Sequence, residues 1–273
     1  MRTLLLYSLL LCQWIILPVA TAQTNLPSIF PNHEISSELI AVPKKNILRL
    51  EQAARLFAQA GADIDQIERL AVSGDSLYNL RVVHPGRTGR VIIVCAHADF
   101  KGPGDGIIDN WSGVVAVTNL YQAMLAMQTR NTFHFLVFAG EEDGLVGSRR
   151  YTGALSQREV SSIDAVINLE CLGVGPTAVW SNNSDATLQQ HFWNTVEAIG
   201  LPAVDGPVPG VNADSTPFAE RGVPVITLHS LSQPEQMQLI HSPGDNADNI
   251  RMDNYFDSFH LLRAFLTTLD KRQ

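Results

Sequence analysis

Strands that are apolar along their whole length, separated by amphipathic helices, constrain this chain more than any other feature. A sheet with one face in water needs a polar residue at every second strand position. Here the runs at 90–96, 133–139, 165–169 and 223–228 are apolar nearly throughout and rich in β-branched residues. Between and after them, apolar positions recur at helical spacing over 113–127, 147–155, 186–199 and 255–269. An earlier helix is predicted over 47–60, where Leu50, Ala53, Leu56, Phe57 and Ala60 share a stripe and Gly61 ends it. Residues 78–83 alternate as a strand, and His84-Pro85-Gly86 turns the chain. This order predicts an α/β fold of three layers, with helices on both faces of a mostly parallel mixed sheet. In such folds ligands gather at the carboxyl ends of the strands, so the polar residues just after each strand carry most of the functional information.

Read in turn, those ends give His97-Ala98-Asp99, then Asp109-Asn110-Trp111-Ser112-Gly113 after a Gly-rich loop, then Gly140-Glu141-Glu142 and Glu170. His241-Ser242-Pro243-Gly244-Asp245 stands late in the chain. Imidazole nitrogen and carboxylate oxygen are both zinc ligands, and one carboxylate between two ions can bridge them. A single histidine after a strand, or an adjacent glutamate pair, is ordinarily structural or solvated. Their convergence on one sheet edge is what points to a metal. Adjacent residues of an extended segment face opposite sides, so Glu141 and Glu142 are expected to divide the labour, one on metal and one on protons. Asp99, two residues beyond His97, is placed to accept the second ring proton of that histidine.

The start of the chain suggests export. Arg2, an apolar stretch over 4–19 and Ala20-Thr21-Ala22 form a charged start, a short apolar centre and a small-residue cleavage signal, so residues 1–22 are expected to be a signal peptide. Residues 23–44 are polar with scattered prolines and are expected to be an extended lead-in, followed by one domain over 45–273. With 45% hydrophobic residues a large core is possible, and a formal charge of −8 argues against nucleic acid and anionic membranes as partners. The expected location is outside the cytoplasm, secreted or periplasmic. Cys95 and Cys171 follow the predicted cleavage point, each in an apolar run, and buried free thiols are expected over a bridge. His134 and His229, in or at the end of apolar strands, are read as structural.

Five ordered motifs carry a resemblance to a known family. His97-x-Asp99, Gly104-Asp105-Gly106-x-x-Asp109-Asn110-x-Ser112-Gly113, Gly140-Glu141-Glu142-x-Gly144-Leu145-x-Gly147-Ser148, Asn168-Leu169-Glu170 and His241-Ser242-Pro243-Gly244-Asp245 occur in sequence. Together they resemble the co-catalytic zinc exopeptidases of metallopeptidase family 28, which includes secreted bacterial aminopeptidases, glutamate carboxypeptidases and glutaminyl cyclases. The resemblance implies a zinc-exopeptidase (phosphorylase/hydrolase-like) three-layer fold and two Zn2+ ions. It implies that Asp109 bridges them, with His97 and Glu170 on one and Glu142 and His241 on the other. It further implies Glu141 as the general base acting on water held by the two ions, Asp99 and Asp214 behind the ligands, and a cis peptide between Asp109 and Asn110. The implied substrates are peptides or small proteins with a free amino terminus.

The chain also departs from the family pattern. Glu170 stands where many members have Asp, and Ser215 follows Asp214 where an imidazole or tyrosine is usual. Ile240 precedes the last histidine, where some relatives place a tyrosine that polarises the substrate carbonyl. Two other readings compete with an aminopeptidase. Glutaminyl cyclases resemble the same motifs but usually have Trp at position 240 and lack the Gly144–Ser148 continuation. A non-catalytic relative would be expected to have lost a ligand or the base.

Overall fold

The computed structural model describes residues 32–73 and 77–271. The expected signal peptide and the first part of the lead-in lie outside the described residues. Helices α1 (Asn32–Ile40) and α2 (Asn46–Gln59) precede strands β1 (Glu68–Ser73) and β2 (Leu77–His84). There follow β3 (Val91–His97), α3 (Ser112–Leu125), β4 (Thr132–Phe138), α4 (Val146–Ala154), α5 (Gln157–Ser162), β5 (Ile163–Leu169) and β6 (Thr177–Val179). The order closes with α6 (Ala186–Ile199), β7 (Ala203–Asp205), α7 (Thr216–Ala219), β8 (Val225–His229), α8 (Pro234–Met237) and α9 (Met252–Asp270).

All the strands join one sheet in the order β1-β2-β4-β3-β5-β8-β6-β7. Its centre, β4-β3-β5-β8, is parallel, while β1-β2, β2-β4 and β6-β8 pair antiparallel. Alternate residues of the central strands enter two cores. Ile92, Val94, Phe133, Phe135 and Ile167 pack under α1, α2, α3, α6 and α9. Ile93, Cys95, Leu136, Phe138 and Val166 meet Tyr151 of α4, Val160 of α5 and Phe218 of α7. Both faces are covered, which is why these strands are apolar at nearly every position.

The lead-in is not extended throughout, because residues 32–40 form α1. Ile35 and Leu39, one helical turn apart, are both 2% exposed and pack on the core. That turn-spaced pair outweighs the polar composition around it. β1, α5 and the short β6 and β7 lie where no element is expected from the sequence. β1 alternates half-buried and exposed positions at the sheet edge, so it has no apolar run to mark it. Cys95 and Cys171 are both buried and free, as expected.

Candidate metal centre

Parallel register brings the strand ends together. His97, the last residue of β3, pairs with Phe138 of β4, and Cys95 pairs with Asn168 of β5. Glu141 and Glu142 leave β4 and Glu170 leaves β5 beside them. Asp109 sits in the tight helical turn Ile107–Trp111 that enters α3, joined to Asn110 by a cis peptide bond. His241 arrives from the loop after α8, with its backbone in the left-handed region at φ 54°.

Two triads result. Nε2 of His97 lies 3.3 Å from Asp109 Oδ1 and 3.3 Å from Glu170 Oε2. Nε2 of His241 lies 3.2 Å from Asp109 Oδ2 and 2.9 Å from Glu142 Oε1. One carboxylate therefore turns a separate oxygen toward each histidine. Within each triad the ligand-type atoms all lie within 4.8 Å of one another, and both triads fit a cation. Mixed imidazole and carboxylate donors are a set zinc accepts. Glu141 belongs to neither triad, and its Oε2 stands 3.9 Å from His97 Nε2. The two glutamates do face different histidines, but they occupy a turn and not an extended segment.

Neighbouring groups hold these side chains in place. His97 Nδ1 lies 3.0 Å from the backbone carbonyl of Asp99, while the Asp99 carboxylate stays 3.8 Å away. Asp99 thus meets the ring most closely through its main chain, and its carboxylate braces the turn of the two glutamates. That carboxylate accepts the backbone N–H groups of Glu141 at 3.2 Å and Glu142 at 3.1 Å. Glu170 is held at both oxygens, by Asn110 Nδ2 at 2.7 Å and by Asn168 Nδ2 at 2.9 Å. Asp245 accepts from the amides of Ile108 at 2.6 Å and Asp109 at 3.4 Å. Asn110, Asn168 and Asp245 lie inside the quoted motifs but have no role in the sequence reading. The two-residue strand period, which sets Asn168 on the side of Glu170, is the signal that finds one of them.

Taken alone, these groups shift as a buried acidic cage should. Burial would lower His97, but Glu170, Glu141 and Asp109 outweigh it and hold the imidazole well above its ordinary value. His241 is pushed up to about 9, first by its hydrogen bond with Asp109. Burial would raise Asp109, yet hydrogen bonds with His241 and His97 keep it below the usual carboxylate range. Burial pushes Glu141 up to about 9, opposed by His97 and reinforced by Glu170 and Asp214. Asp214, wholly buried behind the site, is pushed up to about 7 by burial, with His97 opposing. A bound divalent charge inverts this pattern, lowering carboxylates and displacing imidazole protons.

The centre opens into a cavity of about 460 Å3 with Leu145, Trp180, Val211, Leu231, Met237 and Ile240 on its walls. His229 also borders it but is tied on both ring nitrogens, to the Gly206 carbonyl at 2.7 Å and the Leu231 N–H at 3.1 Å. His134 lies apart on β4, pushed down to about 4 by burial. Ser215 is buried in a hydroxyl pair with Thr227 at 2.8 Å. Arg149, on the cavity rim, is exposed and paired with Glu220 at 3.0 Å.

The sequence model of peptidase family M28 matches residues 79–266. Among curated proteins, leupeptin-inactivating enzyme 1 of Streptomyces exfoliatus is 30% identical over 167 residues, covering 60% of this chain and 38% of its own length. Leucine aminopeptidase 2 of Trichophyton equinum is 26% identical over 199 residues, covering 63% of this chain and 40% of its own. The chain thus spans about two fifths of the length of these relatives. Among solved structures, the zinc aminopeptidase BSAP of Bacillus subtilis superimposes with a TM-score of 0.64 at 21% identity, over 70% of this chain and 50% of that one. The LapA aminopeptidase of Legionella pneumophila gives 0.72 at 18%, over 88% and 70%. A glutaminyl cyclase from an Acidobacteriales bacterium gives 0.74 at 18%, over 89% and 94%. With the family match covering well over half of its length, the chain belongs to peptidase family M28.

Proposed function

We propose that this protein is a secreted, zinc-dependent aminopeptidase with one peptidase domain over residues 45–273, acting on peptides or small proteins with a free amino terminus. The observation that carries the reading is the position of Asp109, whose two oxygens face the histidines of two separate triads at 3.3 and 3.2 Å. In this reading His97, Asp109 and Glu170 hold one zinc, and Asp109, Glu142 and His241 hold the other. Bound there, the ions supply Lewis acidity. Glu141, 3.9 Å from His97 Nε2 and in neither triad, takes a proton from the attacking water and returns it to the amine nitrogen as the C–N bond breaks. Asp99 holds the backbone of that base, and Asp214 stands behind it.

The lining favours the amino end. A free α-amine has a reference pKa of about 7.7–8.0, and Glu141, Glu142, Glu170 and Asp109 line the cavity; two zinc ions would offset much of that charge, leaving a site that takes the amine as a cation or, neutral, as a metal ligand. The arginine on the rim is already paired with Glu220. Among the described residues that line the cavity, a substrate carboxylate would therefore find no unpaired lysine or arginine, whereas the apolar wall suits the side chain of the first residue. The pattern of residues 1–22 supports export, and no helix among the described residues is long and apolar enough to cross a membrane.

Aminoacyl nitroanilides, with and without an acetyl group on the amine, test the reading. The free compounds should be hydrolysed and the acetylated ones left intact. Equal rates on both would overturn the aminopeptidase reading while leaving a zinc hydrolase. A glutaminyl peptide that releases ammonia with no peptide bond cut would instead support the cyclase reaction.

A further inference from the structure

Arg49, on α2, lies outside the segment that matches the family and is 0% exposed. Its Nε donates to the Pro43 carbonyl at 3.0 Å. Nη1 donates to the carbonyls of Gly106 at 2.9 Å and Ala98 at 3.3 Å, and Nη2 to that of Asp105. Its Cζ lies 4.0 Å from the centre of the Phe100 ring. Gly106, at φ 61°, leaves no room for a side chain, since a Cβ there would stand 2.4 Å from Phe100 and 2.8 Å from Nη2. All four hydrogen-bond acceptors are neutral main-chain carbonyls. Burial pulls the guanidinium down to about 10, and the charges opposing that are Asp245, Asp99, Asp109 and Asp105. Packing alone is a poor account of a buried charge with no direct carboxylate partner among the described residues, because burying it is costly.

Ala98, Asp105 and Gly106 all belong to the loop that joins His97 to Asp109. We propose that Arg49 is a positioning residue of the metal centre, a planar fork that locks the 98–106 loop so that His97 and Asp109 meet at the spacing a cation requires. The inference rests on the zinc reading above. It also has a sign that a simple charge effect lacks. If only its charge mattered, removing Arg49 would make a dication bind more tightly; if the fork matters, binding weakens.

The test is zinc affinity of the full chain, stripped by chelation and titrated in competition with a chromophoric chelator. Arg49→Lys keeps the charge but cannot address the loop carbonyls with one ammonium. It should bind zinc about 10–100-fold more weakly, the usual cost of losing a residue that orients ligands, and Arg49→Met should also weaken. Arg81→Lys, which disturbs the 2.6 Å contact with Glu68 at the sheet edge, should lower stability and leave zinc affinity unchanged. If neither Arg49 variant folds, Phe100→Leu removes the ring under the guanidinium and should weaken zinc several-fold. Wild-type affinity in Arg49→Lys, tighter binding in Arg49→Met, or unchanged affinity in a folded Phe100→Leu each overturns the proposal. A wild-type chain that takes up no zinc would sink the zinc reading and this inference with it.

Discussion

Asp109 is buried and Glu141 half-buried, and their partners send these two carboxyls in opposite directions. Hydrogen bonds with two imidazoles hold Asp109 low, while Glu141 has burial and like charges around it and is raised to about 9. Those directions belong to the metal-free site; under the proposed reading bound zinc would lower both carboxyls, leaving Asp109 an anion among the ligands and Glu141 ionised and able to accept a proton. Glu141→Gln spares every triad atom, so zinc content should stay native while kcat falls about 10²–10⁴-fold. Near-native turnover with native zinc would remove Glu141 from that role. A residue away from the metal makes a second case. A Cβ on Gly113 would stand 2.5 Å from Asn110 Oδ1 and 2.9 Å from the Leu169 carbonyl. Gly113→Ala should therefore cost about 1–3 kcal/mol of stability and disturb the amide that holds Glu170. Urea unfolding together with zinc content reads both effects, and native values in both would refute this account.

At the scale of elements, α1 and the turn that carries Asp109 are physically joined. Trp111 Nε1 donates to the Glu38 carbonyl at 2.9 Å, and Asn119 Nδ2 donates to the Glu38 side chain at 2.6 Å. Leu39 seats the helix at 2% exposure. Leu39→Ala should destabilise the protein by about 2–5 kcal/mol, as expected for a large-to-small change in a packed core. Calorimetry should show a single transition at lower temperature. An unchanged midpoint would mean that α1 frays independently of the sheet. The sequence shows this helix poorly because its apolar face is one pair of residues, while α2, α3 and α6 advertise themselves over three or more turns.

For the whole molecule, the acidic centre gives metal-free and zinc-loaded protein opposite responses to pH. His241 rises to about 9 when folded, above its ordinary 6.5. Its contribution to stability is fully present below about pH 6.5 and is lost as pH rises through about 9. Glu141 and Asp214, also raised, act in the same direction. Zinc requires neutral imidazole and ionised carboxylates, so its affinity should climb over the same window, with protons released on binding. Thermal unfolding of chelated and zinc-loaded protein from about pH 6.5 to 9 should therefore diverge, the chelated form falling relative to the loaded one. Parallel curves would show that the triads do not bind zinc through these groups. The fold itself does not choose the reaction, since aminopeptidase and cyclase structures both share it.

The sequence by itself determined the layer architecture and which residue types stand at the strand ends, because both are local patterns. A strand buried on both faces must be apolar at most positions, and His97, Asp109, Glu141, Glu142, Glu170 and His241 fall at or just beyond the ends of such runs or within short motifs. Tertiary structure alone decided how those groups are coupled. The Asp99 carboxylate is taken by two amides 42 and 43 residues away, Asn110 reaches Glu170 across 60 residues, and Arg49 grips Gly106 across 57. Burial, hydrogen-bond commitment and the field on a carboxyl group are set by whatever the completed fold places beside it, and no local spacing encodes those neighbours.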